Sequence, residues 1–474
     1  MTKAKKDIIT LVVGKVLQII IALASIKILT EMLSTQEVGN YYMLLTILTL
    51  FNFTFLNPLG QYYGRHLISW EKSNNLLNAT MVLIVMRVLA IILVLFFAYG
   101  VFIYFEYSKY YDLVEFLLFI FIALFAGTFL VLLSAVNTLG DRIKFIKYLV
   151  SSAFLALVLS LIMVFFLDRS AIFWLYGIAI AQLIFLLPLY IYLVKNNKFS
   201  LHKIKRSVSK EYIKKVSYFI VPITITLFLQ WGQNVSYRFI IEAKYSIEIL
   251  AFMAVGFSVS GAIFSAVESL VTQYFNPLYL RNITNASKGK RTLIWNELAS
   301  HIIPIYILLT GFVVALSSYL VQVLVAEKFH DAYIYTMLGA FMEFFRATTN
   351  LVYLVSQSEV KTNTTMMPYA VGFLFTIIVL YTIDFSNNLW GIPLVLITAY
   401  IIIFMILFFS MKKLLPIKIC FLSIVKALIL SIPFGIIYFL DKNYTISITI
   451  GIIIITGVYL LVSLYLLRPK ERIV

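Results

Sequence analysis

The sequence predicts an all-α polytopic membrane protein of about 14 transmembrane helices, arranged as two pseudo-symmetric six-helix lobes followed by a C-terminal helix pair. Three observations predict it. Hydrophobic residues make up 62% of the 474 positions and charged residues 12%, with a mean hydropathy of +0.98; a soluble chain has roughly 45–50% apolar residues. Apolar stretches of about 20 residues, enough to cross ~30 Å of hydrocarbon at 1.5 Å per residue, recur along the whole chain. Basic residues collect in every second connection between those stretches.

Taken in order, the apolar runs fall near 8–31, 38–62, 79–104, 113–138, 148–167, 171–194, 216–242, 248–276, 298–325, 333–356, 365–383, 390–411, 421–440 and 446–467. The start, Met1-Thr2-Lys3-Ala4-Lys5-Lys6, resembles the basic end of a signal peptide, but the following apolar run is too long and lacks a small-residue cleavage site, so it reads as a retained helix. With the amino terminus inside, the inner segments hold 27 Lys and Arg and the outer loops 5: Lys109, Arg169, Lys244, Lys328 and Lys442. That asymmetry places both termini in the cytoplasm. Tyr104, Tyr107, Tyr110 and Tyr111 gather where an amphipathic ring suits the headgroup level.

The longest hydrophilic segment, 195–215, carries eight basic residues and one acid, Glu211. It reads as a solvated cytoplasmic linker attracted to anionic lipid. It divides an N-terminal lobe, 1–194, from a C-terminal lobe, 216–411, with residues 412–474 forming the last helix pair and a cytoplasmic tail. The lobes look duplicated. Lys27, Glu31 and Glu37 recur 211 residues later as Arg238, Glu242 and Glu248. Leu56-Asn57-Pro58-Leu59 recurs as Phe275-Asn276-Pro277-Leu278, and Asn137 as Asn350. The Asn-Pro pair also reads as a helix stop, since proline disfavours helix in the residue before it. Both blocks begin inside and contain an even number of helices, so they relate as parallel repeats about an axis along the membrane normal.

The net charge of +17 does not point to nucleic acid, because no soluble segment reaches domain size. One cysteine, Cys420, permits neither a disulfide nor a Cys-x-x-Cys pair, and His66, His202, His301 and His330 are dispersed among four segments; no metal site or catalytic triad is expected. Ser287-Lys288-Gly289-Lys290-Arg291-Thr292-Leu293 lacks the upstream glycine and the Lys-Ser/Thr order of a phosphate loop. Outer loops of about ten residues at most leave little room for the second-substrate site of a membrane transferase. The sequence therefore predicts no enzyme and no cofactor.

Six basic residues fall inside the apolar runs: Lys15, Lys27, Arg87, Arg238, Arg346 and Lys426. Facing lipid at mid-depth they would cost about 2.5–3.5 kcal/mol each, so they cannot all do so. Lys27, Arg238 and Lys426 sit near helix ends, where snorkelling suffices. Lys15, Arg87 and Arg346 lie deeper and point to a water-filled cavity, although Glu343, one turn before Arg346, offers a neutral pair. Glu268 is a deep carboxylate with no local partner in the sequence, and with Glu343 is a candidate for coupling to protons or sodium. A cavity lined by Lys and Arg selects anions, and arginine's fork suits phosphate oxygens.

The stretch from Lys15 through Leu67, above all Ile26-Lys27-Ile28-Leu29-Thr30-Glu31-Met32-Leu33 and Glu37-Val38-Gly39-Asn40-Tyr41-Tyr42, resembles the opening of polysaccharide flippases of the multidrug/oligosaccharidyl-lipid/polysaccharide (MOP) exporter superfamily. The resemblance implies two lobes alternately open to cytoplasm and periplasm, in a bacterial inner membrane. Its implied cargo is an undecaprenyl-pyrophosphate-linked oligosaccharide repeat unit for O-antigen, lipopolysaccharide or capsule. Implied partners are a polysaccharide polymerase and a chain-length regulator. Cationic cavity residues of that family fall by position on Lys15, Lys27, Arg65 and Arg238. Lys15 and Lys27 depart from arginine and cannot grip phosphate bidentately. The extra helix pair implies a groove for the lipid tail, with Lys426 near a phosphate or simply packed. A drug/cation antiporter of the same superfamily, which calls for an acidic cavity, and a membrane-embedded glycosyl or acyl transferase are the alternatives.

Overall fold

A computed structural model describes residues 3–195, 210–283, 286–359, 361–440 and 445–467. The described residues are helical, with no strand among them. Most of the basic linker, residues 196–209, and the basic tail, 468–474, lie outside them. The helices are α1 (Lys3–Met32), α2 (Thr35–Phe51), a π-helical turn (Asn52–Leu56), α3 (Asn57–Lys72), α4 (Leu76–Tyr104), α5 (Leu113–Ala126), α6 (Thr128–Thr138), α7 (Arg142–Phe166) and α8 (Ala171–Val194). After the linker come α9 (Lys210–Val235), α10 (Tyr237–Lys244), α11 (Ile247–Ile283), α12 (Lys288–Leu324), α13 (Tyr333–Ser358), α14 (Met366–Thr382), α15 (Gly391–Leu414), α16 (Phe421–Ser431) and α17 (Ile446–Leu466).

Eleven helical runs among the described residues are long and apolar enough to cross a membrane, and Met366–Thr382 and Phe421–Ile437 are shorter apolar helices. The remaining long helix, α13, is more polar because Glu343, Arg346 and Asn350 interrupt it. All fourteen apolar runs of the sequence are thus helical, and the chain is a polytopic all-α membrane protein. Several helices overrun the apolar stretch: the run at 38–62 continues to Lys72, that at 248–276 to Ile283, and that at 298–325 begins at Lys288. Hydropathy marks only the hydrocarbon crossing, whereas Lys, Arg and Glu prolong a helix readily in water. Asn-Pro stops neither helix. At Asn57-Pro58 the chain takes up one π turn and goes on, while α11 passes through Asn276-Pro277 without interruption.

The contacts divide the chain into two compact units. Unit 1 holds residues 1–25 and 40–231, and unit 2 holds 26–39 and 232–474. In unit 1, α3, α4, α6 and α8 pack around Tyr63, Leu67, Leu83, Phe129, Leu133 and Leu189. In lipid such packing depends on close fit rather than on the expulsion of water. The α7–α8 pair is an example: a Cβ on Gly177 would lie 2.3 Å from the Ser160 backbone nitrogen, and Ser160 Oγ donates to the Trp174 carbonyl at 2.7 Å. Unit 2 repeats the device between α11 and α13, where a Cβ on Gly256 would meet the Ala332 carbonyl at 2.6 Å and Thr336 Oγ1 donates to the Gly256 carbonyl at 3.0 Å.

Candidate functional site

In unit 1 two helix breaks create the setting for a buried arginine. Pro58 has no N–H, so the Thr54 carbonyl loses its helical partner; the hydroxyl of Thr224 donates to that carbonyl at 3.3 Å. The π turn ends at Leu56, and α5 ends at Gly127. Arg87 of α4, 1% exposed, reaches both breaks. Its Nη1 donates to the Leu56 carbonyl at 3.4 Å, its Nη2 to the Leu124 carbonyl at 3.2 Å, and its Nε to Thr128 Oγ1 at 3.0 Å. Two backbone carbonyls and a hydroxyl turn the negative ends of their dipoles to the guanidinium, so they offset the charge without a carboxylate.

Arg87 also forms part of the wall of a cavity of about 560 Å³, within the ~300–1,000 Å³ typical of small-molecule sites. Asn52, Asn57, Gln61, Ser134 and Gln182 line it as well, and no carboxylate is among the described residues that border it.

Unit 2 buries its arginine differently. Arg346 Nε donates to Glu343 Oε2 at 2.7 Å and Nη2 to Glu268 Oε2 at 2.7 Å. Asn350 Nδ2 donates to the other Glu268 oxygen, Oε1, at 2.8 Å. The side chains of Arg346, Glu268 and Glu343 are 23%, 19% and 10% exposed. Ionised, two carboxylates against one guanidinium leave a net charge of −1. Glu268, which the sequence leaves without a local partner, therefore has two, 78 and 82 residues away. Tyr306, Tyr369 and Tyr400 lie within electrostatic range of the cluster.

The other sequence candidates are spread over both units. In unit 1, Lys15 is half-buried and its Nζ donates to Gln18 Oε1 at 3.0 Å, while Arg65 is exposed on α3 with its guanidinium carbon 5.3 Å from the Phe219 ring centroid. In unit 2, Lys27 Nζ pairs with Glu31 at 3.0 Å and donates to the Val325 carbonyl at 2.6 Å. Arg238, half-buried on α10, lies 6.0 Å from the Tyr237 ring centroid. Lys426 is exposed on α16 and donates to the Leu466 carbonyl of α17 at 3.0 Å, which ties the last two helices together. The structure brings together Arg346, Glu343 and Glu268. Arg87 stands apart from them in the other unit.

A reading that counts only charges misses the neutral amides Asn52, Asn57, Gln61 and Gln182. Their signal was available: Asn57, Gly60, Gln61 and Gly64 follow the i, i+3, i+4, i+7 spacing of one helix face.

No protein-family model matches the sequence, and comparison with curated protein sequences gives no match. Solved structures do match. The lipid II flippase MurJ in an inward closed conformation is similar with a TM-score of 0.68 at 14% identity, covering 96% of this chain and 97% of the other. An inward-facing multidrug resistance transporter of the MATE family, within the MOP superfamily, gives 0.61 at 11% identity over 86% and 97%. A MOP superfamily transporter from Pyrococcus furiosus, described as having a binding pocket of reverse polarity, gives 0.53 at 12% identity over 86% and 95%. At these identities the likeness establishes the fold, and the chain has the fold of MOP superfamily transporters.

Proposed function

We propose that this chain is a flippase that moves undecaprenyl-pyrophosphate-linked oligosaccharide repeat units, such as those of O-antigen, lipopolysaccharide or capsule, from the cytoplasmic to the periplasmic leaflet of a bacterial inner membrane. The observation that carries the reading is the charge of the unit 1 cavity, which is bordered by a buried guanidinium and by no carboxylate. Such a wall favours an anionic or uncharged polar guest and repels a cationic drug. A pyrophosphate-linked glycan cannot cross hydrocarbon unaided, given the cost of removing its charges and hydroxyls from water. A protein that keeps the head in a polar cavity while the isoprenoid tail stays in lipid removes that cost.

In this reading Lys15, Arg65 and Arg87 in unit 1 and Lys27, Arg238 and Lys426 in unit 2 supply the positive field for the pyrophosphate, while the charge of Arg346 is spent on Glu268 and Glu343. Alternating access of the two lobes carries the head across. The Glu268–Arg346–Glu343 cluster, one negative charge in excess, takes a proton or sodium ion and couples the cycle to its gradient. A polysaccharide polymerase and a chain-length regulator are the expected partners on the far side, with both termini of the flippase in the cytoplasm. The excess carboxylate is also the one observation favouring a drug/cation antiporter, since an acidic site is what a cationic substrate requires.

Deleting the gene in its host and complementing with expression-matched Arg87→Met, Arg87→Lys and Glu268→Gln tests the reading. Loss of surface glycan, accumulation of complete repeat units facing the cytoplasm and failure of Arg87→Met to restore export are expected. Persistent surface glycan, or accumulation of incomplete units, overturns it; altered sensitivity to cationic drugs with intact glycan establishes the antiporter.

A further inference from the structure

The chemistry of the unit 1 cavity reaches beyond its charge. Its amides and Ser134 come from four places: the π turn contributes Asn52, α3 contributes Asn57 and Gln61, α6 contributes Ser134, and α8 contributes Gln182. In a chain that is 62% hydrophobic these are conspicuous, because an amide facing lipid is costly. Among the described residues the Asn52, Ser134 and Gln182 side chains make no hydrogen bond, and Gln61 and Asn57 bond only each other, Nε2 to Oδ1 at 3.2 Å. Their remaining donors and acceptors face open space.

That space is made by glycine. A Cβ on Gly64 would meet nothing within 4 Å, and one on Gly60 would only touch Val131 at 3.3 Å. With the 219-residue offset of the Asn-Pro repeat, the unit 2 counterparts of Gly60 and Gly64 are Tyr279 and Ile283, which are 2% and 9% exposed and fill the same face with side chain. The hollow is therefore a departure of unit 1 from its own repeat, created at two residues.

An amide offers a donor and an acceptor in one plane, and each sugar hydroxyl both donates and accepts, so a vicinal diol matches an amide with two bonds. Small alcohol side chains and bare glycine backbone admit a bulky ring. An anion without hydroxyls would accept from the amide N–H groups but leave their carbonyl oxygens without a donor, and an apolar ligand would leave both unsatisfied. We propose that the unit 1 cavity is a carbohydrate-binding site, in which Asn52, Gln61 and Gln182 bind neutral sugar hydroxyls while Arg87 sets a positive floor that excludes cations. This assignment rests on the reading of the cargo as a glycan-bearing lipid and deepens it: the sugar is held in unit 1. Gln61, Gly64, Ser134 and Thr138 are exposed, whereas Asn52 and Arg87 lie deeper. In the orientation that the basic-residue asymmetry calls for, the open end faces the cytoplasm, where a repeat unit is assembled.

The test is saturation-transfer NMR on the full-length protein in lipid nanodiscs, with N-acetylglucosamine and methyl β-glucoside as probes and inorganic pyrophosphate in parallel. The wild type transfers saturation to the sugar ring protons. Gln182→Met, of similar length and without the amide, and Gly64→Leu, which grows into open space, each weaken sugar binding by ~3- to 10-fold, the loss of one or two net hydrogen bonds. Lys109→Ala, which breaks only the exposed pair with Glu106, leaves it unchanged. No saturation transfer in the wild type, or transfer that neither unit 1 variant reduces, overturns the site. Sugar binding lost with these variants in a protein that fails to restore glycan export in cells upholds the site and sinks the flippase. Normal export without sugar binding does the reverse.

Discussion

Arg87 in unit 1 is held by two backbone carbonyls and a threonine hydroxyl, whereas Arg346 in unit 2 is held by two carboxylates. Both arginines sit within long helices away from most solvent, yet the first leaves its surroundings one charge positive and the second leaves them one charge negative. The difference lies in the helices around them. Unit 1 breaks its helices at Asn52–Leu56 and Gly127, and the freed carbonyls serve as counter-charge; unit 2 keeps α11 and α13 continuous and must supply side-chain anions instead. One chain can thus present opposite polarity in its two units, one suited to an anion and the other to a cation.

The largest effect is expected from Arg346→Met. It leaves Glu268 and Glu343 facing each other and should cost about 3–5 kcal/mol, as for a broken buried pair, read as a lowered melting temperature in detergent. The combined variant Glu268→Gln, Glu343→Gln, Arg346→Met should recover most of that loss while abolishing coupling; if it stays as unstable as the single variant, charge is not what holds the cluster. Arg87→Met follows, at about 2–3 kcal/mol for the loss of charge-assisted hydrogen bonds. Arg87→Lys should recover less than half, because an ammonium cannot span Leu56, Leu124 and Thr128 together; full recovery would mean that charge alone matters there.

Smaller still is Arg291→Lys. Arg291 grips Glu359 with Nε and Nη2 at 2.8 and 3.1 Å at a partly exposed end of unit 2, a contact of about 1 kcal/mol. Gly64→Leu should leave the melting temperature unchanged while stopping transport, which separates the hollow of unit 1 from its stability. Lys109→Ala, which breaks the exposed pair with Glu106, should change neither.

The helical runs were legible because crossing hydrocarbon demands about 20 apolar residues, a local property. The Glu343–Arg346 pair was legible for the same reason, being three residues apart on one helix. Glu268 was not: its partners Arg346 and Asn350 come from α13, and only the packing of α11 on α13 makes them neighbours. Asn350 was singled out through its repeat with Asn137, and its contact with Glu268 came from the fold. Arg87 looked like a free cavity cation because its partners are backbone carbonyls exposed by helix breaks, and side-chain composition carries no trace of them. The amides carry no formal charge to mark them, although in lipid an uncharged Gln also demands a polar surrounding.

The most direct test of the central claim is transport by the purified protein in proteoliposomes. A fluorescent, short-chain polyprenyl-pyrophosphate oligosaccharide is placed in the outer leaflet, and its movement is read by protection from a membrane-impermeant quencher. The expected result is flipping by the wild type that an imposed proton or sodium gradient accelerates, that Arg87→Met and Gly64→Leu abolish, and that Glu268→Gln uncouples from the gradient. Flipping no faster than in empty liposomes, or export of a cationic dye in its place, would contradict it.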